Sequence, residues 1–355
     1  MPLTELAVGD LRCIESAELR FSPGVNVLYG ANGAGKTSLL EAIFLLGRGR
    51  SFRTRINERL IRHGCQEARV IGRLGDERSR QIGLGFRRTA GARAETTIRV
   101  DGRAAEGLAE LATTFPVQIL DPDAHKLIEE SAGRRRRWLD WSVFHVEPVF
   151  GKAWTRYQRA LAQRNAALKA RQSPSMWDTE LVKEGEVLTA SRRQVVEALQ
   201  PYWSRAVLEL TGLEIQMSFH AGWDRQQSLQ DSLTQHLTRD RERGSTGVGP
   251  HRADLSLRYQ GKMAKEVLSR GQQKLTAVAL ALAQLEFLKD TVGLLPTVLL
   301  DDPSAELDQA HLERFIGRIQ SLRTQLIVTA LERNFGWFGA PESVFHVERG
   351  QVFRV

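Results

Sequence analysis

The sequence has 355 residues, with 50 Lys plus Arg against 42 Asp plus Glu and a formal charge of +8 at pH 7; this length excludes a small stapled scaffold and favours two domains, or one large domain with a second lobe. The positive excess favours a polyanionic partner without specifying one. Cys13 and Cys65 lie far apart with no Cys or His at ligand spacing and read as reduced thiols, and no uncharged run approaches the ~20 residues of a membrane span, so a cytoplasmic location without membrane contact is expected.

Residues 1 to 30 alternate short apolar and polar stretches, as in LRCIESAELRF, and end in the apolar run Val25 to Tyr29. That pattern predicts strands feeding a turn. After Gly35 the apolar residues Leu39, Leu40, Ile43, Phe44 and Leu46 fall at helical spacing, so the register is strand, glycine-rich turn, helix. From about 67 to 120, short alternating runs such as ARVIGRLGDE, RQIGLGF and TTIRVDGR predict a meander of strands. From about 126 to 210 glycine nearly vanishes, and RRRRWLDWSVFHVEP and YQRALAQRNAALKARQ predict a helical lobe. Trp138, Trp141, Trp154, Trp177 and Trp203 fall there, so the lobe is expected to carry its own small core. Residues 213 to 260 read as strands and loops, with Gly244, Gly247, Gly249 and Pro250 marking a flexible connection. From 268 onward come a long Leu- and Ala-rich helix, a buried strand, and a second helix and strand.

The stretch Gly30-Ala-Asn32-Gly33-Ala-Gly35-Lys36-Thr37 fits G-x-x-x-x-G-K-[ST] between a predicted strand and a predicted helix, the context a P-loop requires. Glycines let backbone N–H groups converge on phosphates, Lys36 neutralises the β and γ groups, Thr37 can ligate Mg²⁺, and Ser38 offers a second phosphate contact. A plain glycine turn with a surface lysine does not need that context. A second acidic centre ends the run Pro296-Thr-Val-Leu-Leu-Asp301-Asp302 and resembles a Walker B strand. Asp301 would complete the Mg²⁺ shell and Asp302 would orient or deprotonate the attacking water. Alone, it could also be a strand end with acids in a turn.

The motif that narrows the class is Leu268-Ser269-Arg270-Gly271-Gln272, which resembles the ABC signature with Arg for its first Gly. It precedes the Walker B acids by about thirty residues, as such heads require. Ser269 and Gln272 are also spaced as a capping box opening a helix over 272 to 288. Both readings can hold, since a capped helix tip exposing Ser269 and Gly271 suits a γ-phosphate held by another subunit. Ser304-Ala305-Glu306-Leu307-Asp308 resembles the D-loop of such a dimer, and Gln118 occupies the place of a glutamine that senses Mg²⁺ and water, or is simply one polar residue in a strand. In Gln325-Leu-Ile-Val-Thr329-Ala330 the switch histidine of transporter-type proteins is replaced by Ala330, leaving Thr329 as a weak substitute and predicting slow hydrolysis. A transporter subunit is disfavoured by that loss and by the span of about 230 residues from P-loop to signature; a small-molecule kinase leaves the signature unexplained.

Together with GRGRSFR, GRRRRWLDWSVFH, QRNAALK and GPHRADL, these motifs resemble, over the whole chain, the RecF family of SMC-like, ABC-class ATPases. The resemblance implies an α/β fold, an ABC/SMC-like P-loop ATPase head with a compact, mainly helical second lobe. The corresponding division is 1–125 for the first half-head, 126–212 for the lobe and 213–355 for the second half-head. It implies ATP and Mg²⁺ as cofactors, a weak DNA-dependent ATPase, and an ATP-dependent homodimer on double-stranded and gapped DNA. RecR and RecO would be its partners in helping RecA replace single-strand binding protein. Arg12 matches an early arginine that approaches the nucleotide in SMC-like heads, or is a surface strand residue. The cluster Arg48, Arg50, Arg53 and Arg55 and the run Arg134, Arg135, Arg136 and Arg137 are candidates for DNA or partner contact, or solvated faces. His251 and Arg252 could lie near DNA or nucleotide, or stabilise their loop.

Overall fold

Strand β1 (Leu3–Leu11) turns back into β2 (Ile14–Arg20), and β3 (Val25–Tyr29) runs into the glycine loop and α1 (Lys36–Arg48). There follow β4 (Glu67–Leu74), β5 (Arg80–Arg87), β6 (Glu95–Val100), β7 (Arg103–Ala104), a short α2 (Leu108–Thr114) and β8 (Val117–Leu120). The computed structural model describes residues 1–75, 79–89, 94–305, 308–333 and 340–355. Contacts divide the chain into two units, Met1–Ala124 with Leu294–Val355, and His125–Gly293. In the first, the expected meander forms an antiparallel sheet ordered β2-β1-β4-β5-β6-β7. Alternate residues of β4 (Ala68, Val70, Gly72, Leu74) are buried, as a half-covered sheet requires.

Residues 125–293 contain α3 (Lys126–Glu129), α4 (Ala132–Val146), α5 (Phe150–Lys169), α6 (Asp178–Thr211), β9 (Gln216–His220), α7 (Leu229–Arg243), β10 (Asp254–Tyr259), β11 (Lys262–Met263), α8 (Ala264–Val267) and α9 (Arg270–Val292). The unit therefore runs past residue 212, where composition placed a boundary, because α9 packs along α6 and joins its core. Trp203 is fully buried in that core and donates from its indole N–H to the Ile215 carbonyl at 2.7 Å. The stretch expected as strands and loops contains α7, whose N-terminus is capped by Ser228 accepting from the Asp231 N–H and whose end is closed by Gly244 in the left-handed region. Its few apolar residues, Leu229 and Leu233 among them, give a weak apolar period, and the glycines that follow dominate the sequence pattern.

The chain returns to the first unit with β12 (Thr297–Leu300), α10 (Gln309–Ser321), β13 (Leu326–Ala330), β14 (Ser343–Glu348) and β15 (Gln351–Arg354). These close a second sheet ordered β15-β14-β3-β13-β12-β8, parallel except for the β14–β15 hairpin, which stands beyond the single closing strand expected from the sequence. All four residues of β12 are buried, as strands covered on both faces are. Helix α1 contacts both sheets: its Leu39, Leu40, Ile43 and Leu46 share one core with Leu28, Leu299 and Ile327 of the parallel sheet and with Val70 and Leu84 of the antiparallel one. Among the described residues no helix is long and apolar enough to cross a membrane.

Candidate functional site

Between β3 and α1 the backbone takes positive φ at Gly30 (153°), Gly33 (79°) and Gly35 (117°). Gly30 is also sterically required, because a Cβ there would run into the Val347 carbonyl. Helix α1 begins at Gly35 with no side-chain cap and no acid in its first turn, so its free N–H groups and positive dipole end face the loop. Asn32 and Gly33 form the exposed rim, while Ser38 is buried and its Oγ lies 3.8 Å from Cys13 Sγ. The loop is held by its neighbours: the Gly30 N–H donates to the Ala330 carbonyl at 3.2 Å, and the Gly350 N–H to the Ala34 carbonyl at 2.8 Å. Such a turn offers converging donors to a phosphate chain.

Lys36 Nζ lies over this loop, donating to the carbonyls of Gly30 at 2.6 Å and Ala31 at 3.0 Å. Burial lowers its pKa, opposed by the carboxylates of Asp302 and Asp301. The parallel strand β12 delivers Asp301 beside α1, where Thr37 Oγ1 donates to its Oδ1 at 3.0 Å and Thr329 Oγ1 donates to the same atom at 2.9 Å. Burial raises the Asp301 pKa, while the Thr329 and Thr37 hydroxyls and the charge of Arg53 act the other way. Asp302 sits in the left-handed region at φ 46°, its N–H donating to Thr329 Oγ1 at 2.8 Å and its Oδ1 accepting from Ser304 Oγ at 2.9 Å. A threonine hydroxyl and a carboxylate 3.0 Å apart are the hard oxygen donors that Mg²⁺ takes, so these residues fit that ion.

The structure adds a residue that sequence reasoning missed. Glu41, fully buried on α1, receives Arg12 through two hydrogen bonds of 2.8 Å, pairs with Arg53 at 3.5 Å and accepts from Ser51 Oγ. Arg12 also donates to the Arg59 carbonyl at 2.8 Å. The available signal was a glutamate set inside the apolar face LLEAI, a position that demands a cationic partner. Arg53 is thereby drawn to Glu41 and into the field of Asp301 while remaining exposed, as Arg50 and Arg55 are, and Arg48 lies over the Phe44 ring and donates to the Val117 carbonyl. Gln118 is not brought to this cluster. Val117 and Ile119 of β8 pack into the α1 core, so strand alternation turns Gln118 to the other face, level with Val298.

Ser269 and Gln272 form the expected capping box at the tip of α9: the Gln272 N–H donates to Ser269 Oγ at 3.3 Å, and the Ser269 N–H to Gln272 Oε1 at 3.0 Å. Gly271 is exposed beside them. Of the D-loop string, Glu306 and Leu307 lie outside the described residues; Asp308 caps α10, accepting from the His311 N–H at 3.1 Å, a bond that holds its pKa down. Arg135 is corrected as a DNA candidate: it is 7% exposed, forms two bonds to Asp254 (2.9 and 3.0 Å) and donates to the carbonyls of Leu127, Ile128 and Glu130. Arg136 is half-buried on the Ala253 carbonyl, Arg134 pairs with Glu130 at 3.0 Å, and Arg137 is exposed. His251 is held between Tyr157 Oη (2.6 Å) and the Thr246 carbonyl (3.0 Å), and burial pushes its pKa down to about 4, which favours the loop-stabilising reading; Arg252 is exposed.

The model of the RecF/RecN/SMC N-terminal domain matches residues 2–349. A "DNA replication and repair protein RecF" of Pseudomonas paraeruginosa is 39% identical over 361 residues, covering 99% of this chain and 97% of the relative. A solved structure of the recombination mediator protein RecF-ATP in the RecFOR pathway superposes with a TM-score of 0.89 at 27% identity, covering 99% of this chain and 97% of that one. A second, of RecF-ATPrS in the same pathway, gives 0.87 at 26%, covering 100% and 98%. These matches bear out the α/β ATPase-head fold expected from the motifs.

Proposed function

Because the chain belongs to the RecF/RecN/SMC N-terminal domain family, and to its RecF branch, we propose that it is an ATP-switched DNA replication and repair protein. Its glycine loop binds the ATP phosphates and its signature tip completes the site of a second copy. The observation that carries this reading is the hydrogen bond from Thr37 Oγ1 to Asp301 Oδ1, which ties the phosphate loop to the acidic strand end.

In this reading the converging N–H groups of the loop and first turn of α1 hold the β- and γ-phosphates, with Asn32 and Ser38 at the rim and floor. Lys36, cationic and dehydrated, exchanges its carbonyl partners for phosphate oxygens. Thr37 and Asp301 hold Mg²⁺, which when bound offsets charge that develops on the transferred phosphoryl group. Asp302 orients the attacking water, and Arg12 stays aligned towards the nucleotide through its two-pronged grip on Glu41. Ser269 and Gly271 of one copy meet the γ-phosphate in the other, and Asp308 lies at the same seam. ATP thus joins two molecules, and DNA binding and dimerisation reinforce one another.

Duplex and gapped DNA would be met by the exposed arginines Arg50, Arg53, Arg55 and Arg137 and by the half-exposed Arg134. RecR, with RecO, would couple the loaded dimer to RecA; a slow hydrolysis, consistent with Ala330 at the switch position, would release it. Sedimentation velocity with and without ATP and duplex DNA tests the linkage: the expected result is a monomer that becomes a dimer with ATP and more so with DNA. A chain that stays monomeric with both ligands refutes the reading.

A further inference from the structure

Thr329, on β13, stands one residue before the position at which a switch histidine would lie, yet its side chain is engaged elsewhere. It is 1% exposed, and its single hydroxyl serves both acids at the end of β12. The proton goes to Asp301 Oδ1 at 2.9 Å, and a lone pair receives the Asp302 N–H at 2.8 Å. A hydroxyl has one proton to give and two lone pairs, so both contacts can exist at once and no aliphatic side chain can replace them. We propose that Thr329 is a positioning residue that sets the two acidic side chains for cation binding and water attack, and is not itself a sensor of the γ-phosphate; this rests on the ATPase reading above.

Two observations support it. Asp301 Oδ1 is shared by Thr37 and Thr329, hydroxyls from α1 and β13, so the carboxylate is fixed in rotation from two elements. Asp302 occupies the left-handed backbone region at φ 46°, which a non-glycine residue adopts at a cost. Its only amide donor is the one that Thr329 accepts, so the hydroxyl holds the backbone in the conformation from which the Asp302 side chain projects. Ala330, next in the strand, contributes its carbonyl to the Gly30 N–H at 3.2 Å, so β13 braces the acids and the phosphate loop together.

The test compares Thr329→Val, which keeps the shape and loses the hydroxyl, with Thr329→Ser, which keeps the hydroxyl. ATP affinity without divalent cation should stay within about twofold of the parent in both, because the loop and Lys36 are untouched. Thr329→Val should need about tenfold or more Mn²⁺, read by electron paramagnetic resonance with a non-hydrolysable ATP analogue, and its kcat should fall by about tenfold or more at unchanged KM. Thr329→Ser should recover both to within about threefold. Parent-like Mn²⁺ affinity and kcat in Thr329→Val would overturn the proposal, as would equal impairment of the valine and serine variants, which shows that keeping the hydroxyl rescues nothing and assigns the effect to packing. A parent chain that binds no ATP overturns the ATPase reading itself, a result distinct from either of these.

Discussion

Helices α1 and α9 carry the two N-termini that the proposed function assigns to ATP phosphates, and they are finished in opposite ways. The tip of α1 starts from a left-handed glycine with no side-chain cap, its nearest cation folded back onto loop carbonyls. The tip of α9 is closed on itself by a reciprocal pair of bonds between Ser269 and Gln272. An uncapped tip takes its missing partners from water or a ligand, whereas a capped one is stable alone and must exchange a bond to receive one. The same contrast runs through the units that carry them. The first gathers Lys36, Asp301 and Asp302 around a loop and also buries Glu41 against Arg12; the second buries its charges in pairs, with Arg164 on Asp178, Asp240 and Thr246, and Arg192 on Asp140 and the Pro250 carbonyl.

The severest challenge to that contrast is Arg164→Ala, which strands two acids inside residues 125–293. Losing one partner of a buried pair should cost about 3–5 kcal/mol and lower the Tm by on the order of 10 °C. Calorimetry should give the same loss with or without ATP; an ATP-dependent loss would join what the contrast separates. A pH titration follows. Because the folded pKa of His251 is depressed to about 4 from 6.5, the unfolded chain takes up its proton first as the medium acidifies. This contribution is therefore full above pH 6.5 and falls by roughly 3 kcal/mol towards pH 4; in chemical denaturation the stability of the parent should fall more steeply with acidification than that of His251→Asn in that window and run parallel to it below.

Lys36→Ala removes the charge-assisted contacts of the uncapped tip and should weaken ATP binding by on the order of 100-fold, about 2.7 kcal/mol. Isothermal titration reads this, with the Tm of the ligand-free chain little changed. Ser269→Ala should cost about 1 kcal/mol through the lost cap and leave monomer ATP binding intact while abolishing ATP-driven pairing in sedimentation. Normal pairing would show that the capped tip has no part in the seam. Smallest is Arg137→Ala, which should reduce the slope of DNA affinity against salt by about one, whereas Arg135→Ala should lower Tm and leave that slope alone.

The phosphate loop was legible because its chemistry is local: glycines, lysine and threonine act within eight consecutive residues, and the flanking periods declare strand and helix. Ser269 and Gln272 were legible for the same reason, as a cap spans one helical turn. What escaped was set by partners distant in the chain. Arg135 reads as one more charge in a basic run until Asp254 is seen to receive it, and the partners of Glu41, which lies inside an apolar helix face, show only when Arg12 and Arg53 converge on it. For Gln118 both readings stood open in the sequence, and the face it takes on β8 is set by the packing of Val117 and Ile119. Helix α7 was missed because its ends carry the information, in Ser228 and Gly244, and its apolar face is thin.

The brace on the phosphate loop has a consequence for biosynthesis. Strand β3 is flanked by β13 and β14, and the loop it feeds rests on Val347 and Gly350, all encoded about 300 residues later. A nascent chain still lacking them has the motif but not its scaffold, and such long-range pairing forms late. Ribosome-held intermediates should therefore stay blind to nucleotide, so that the switch cannot be thrown by a half-made molecule.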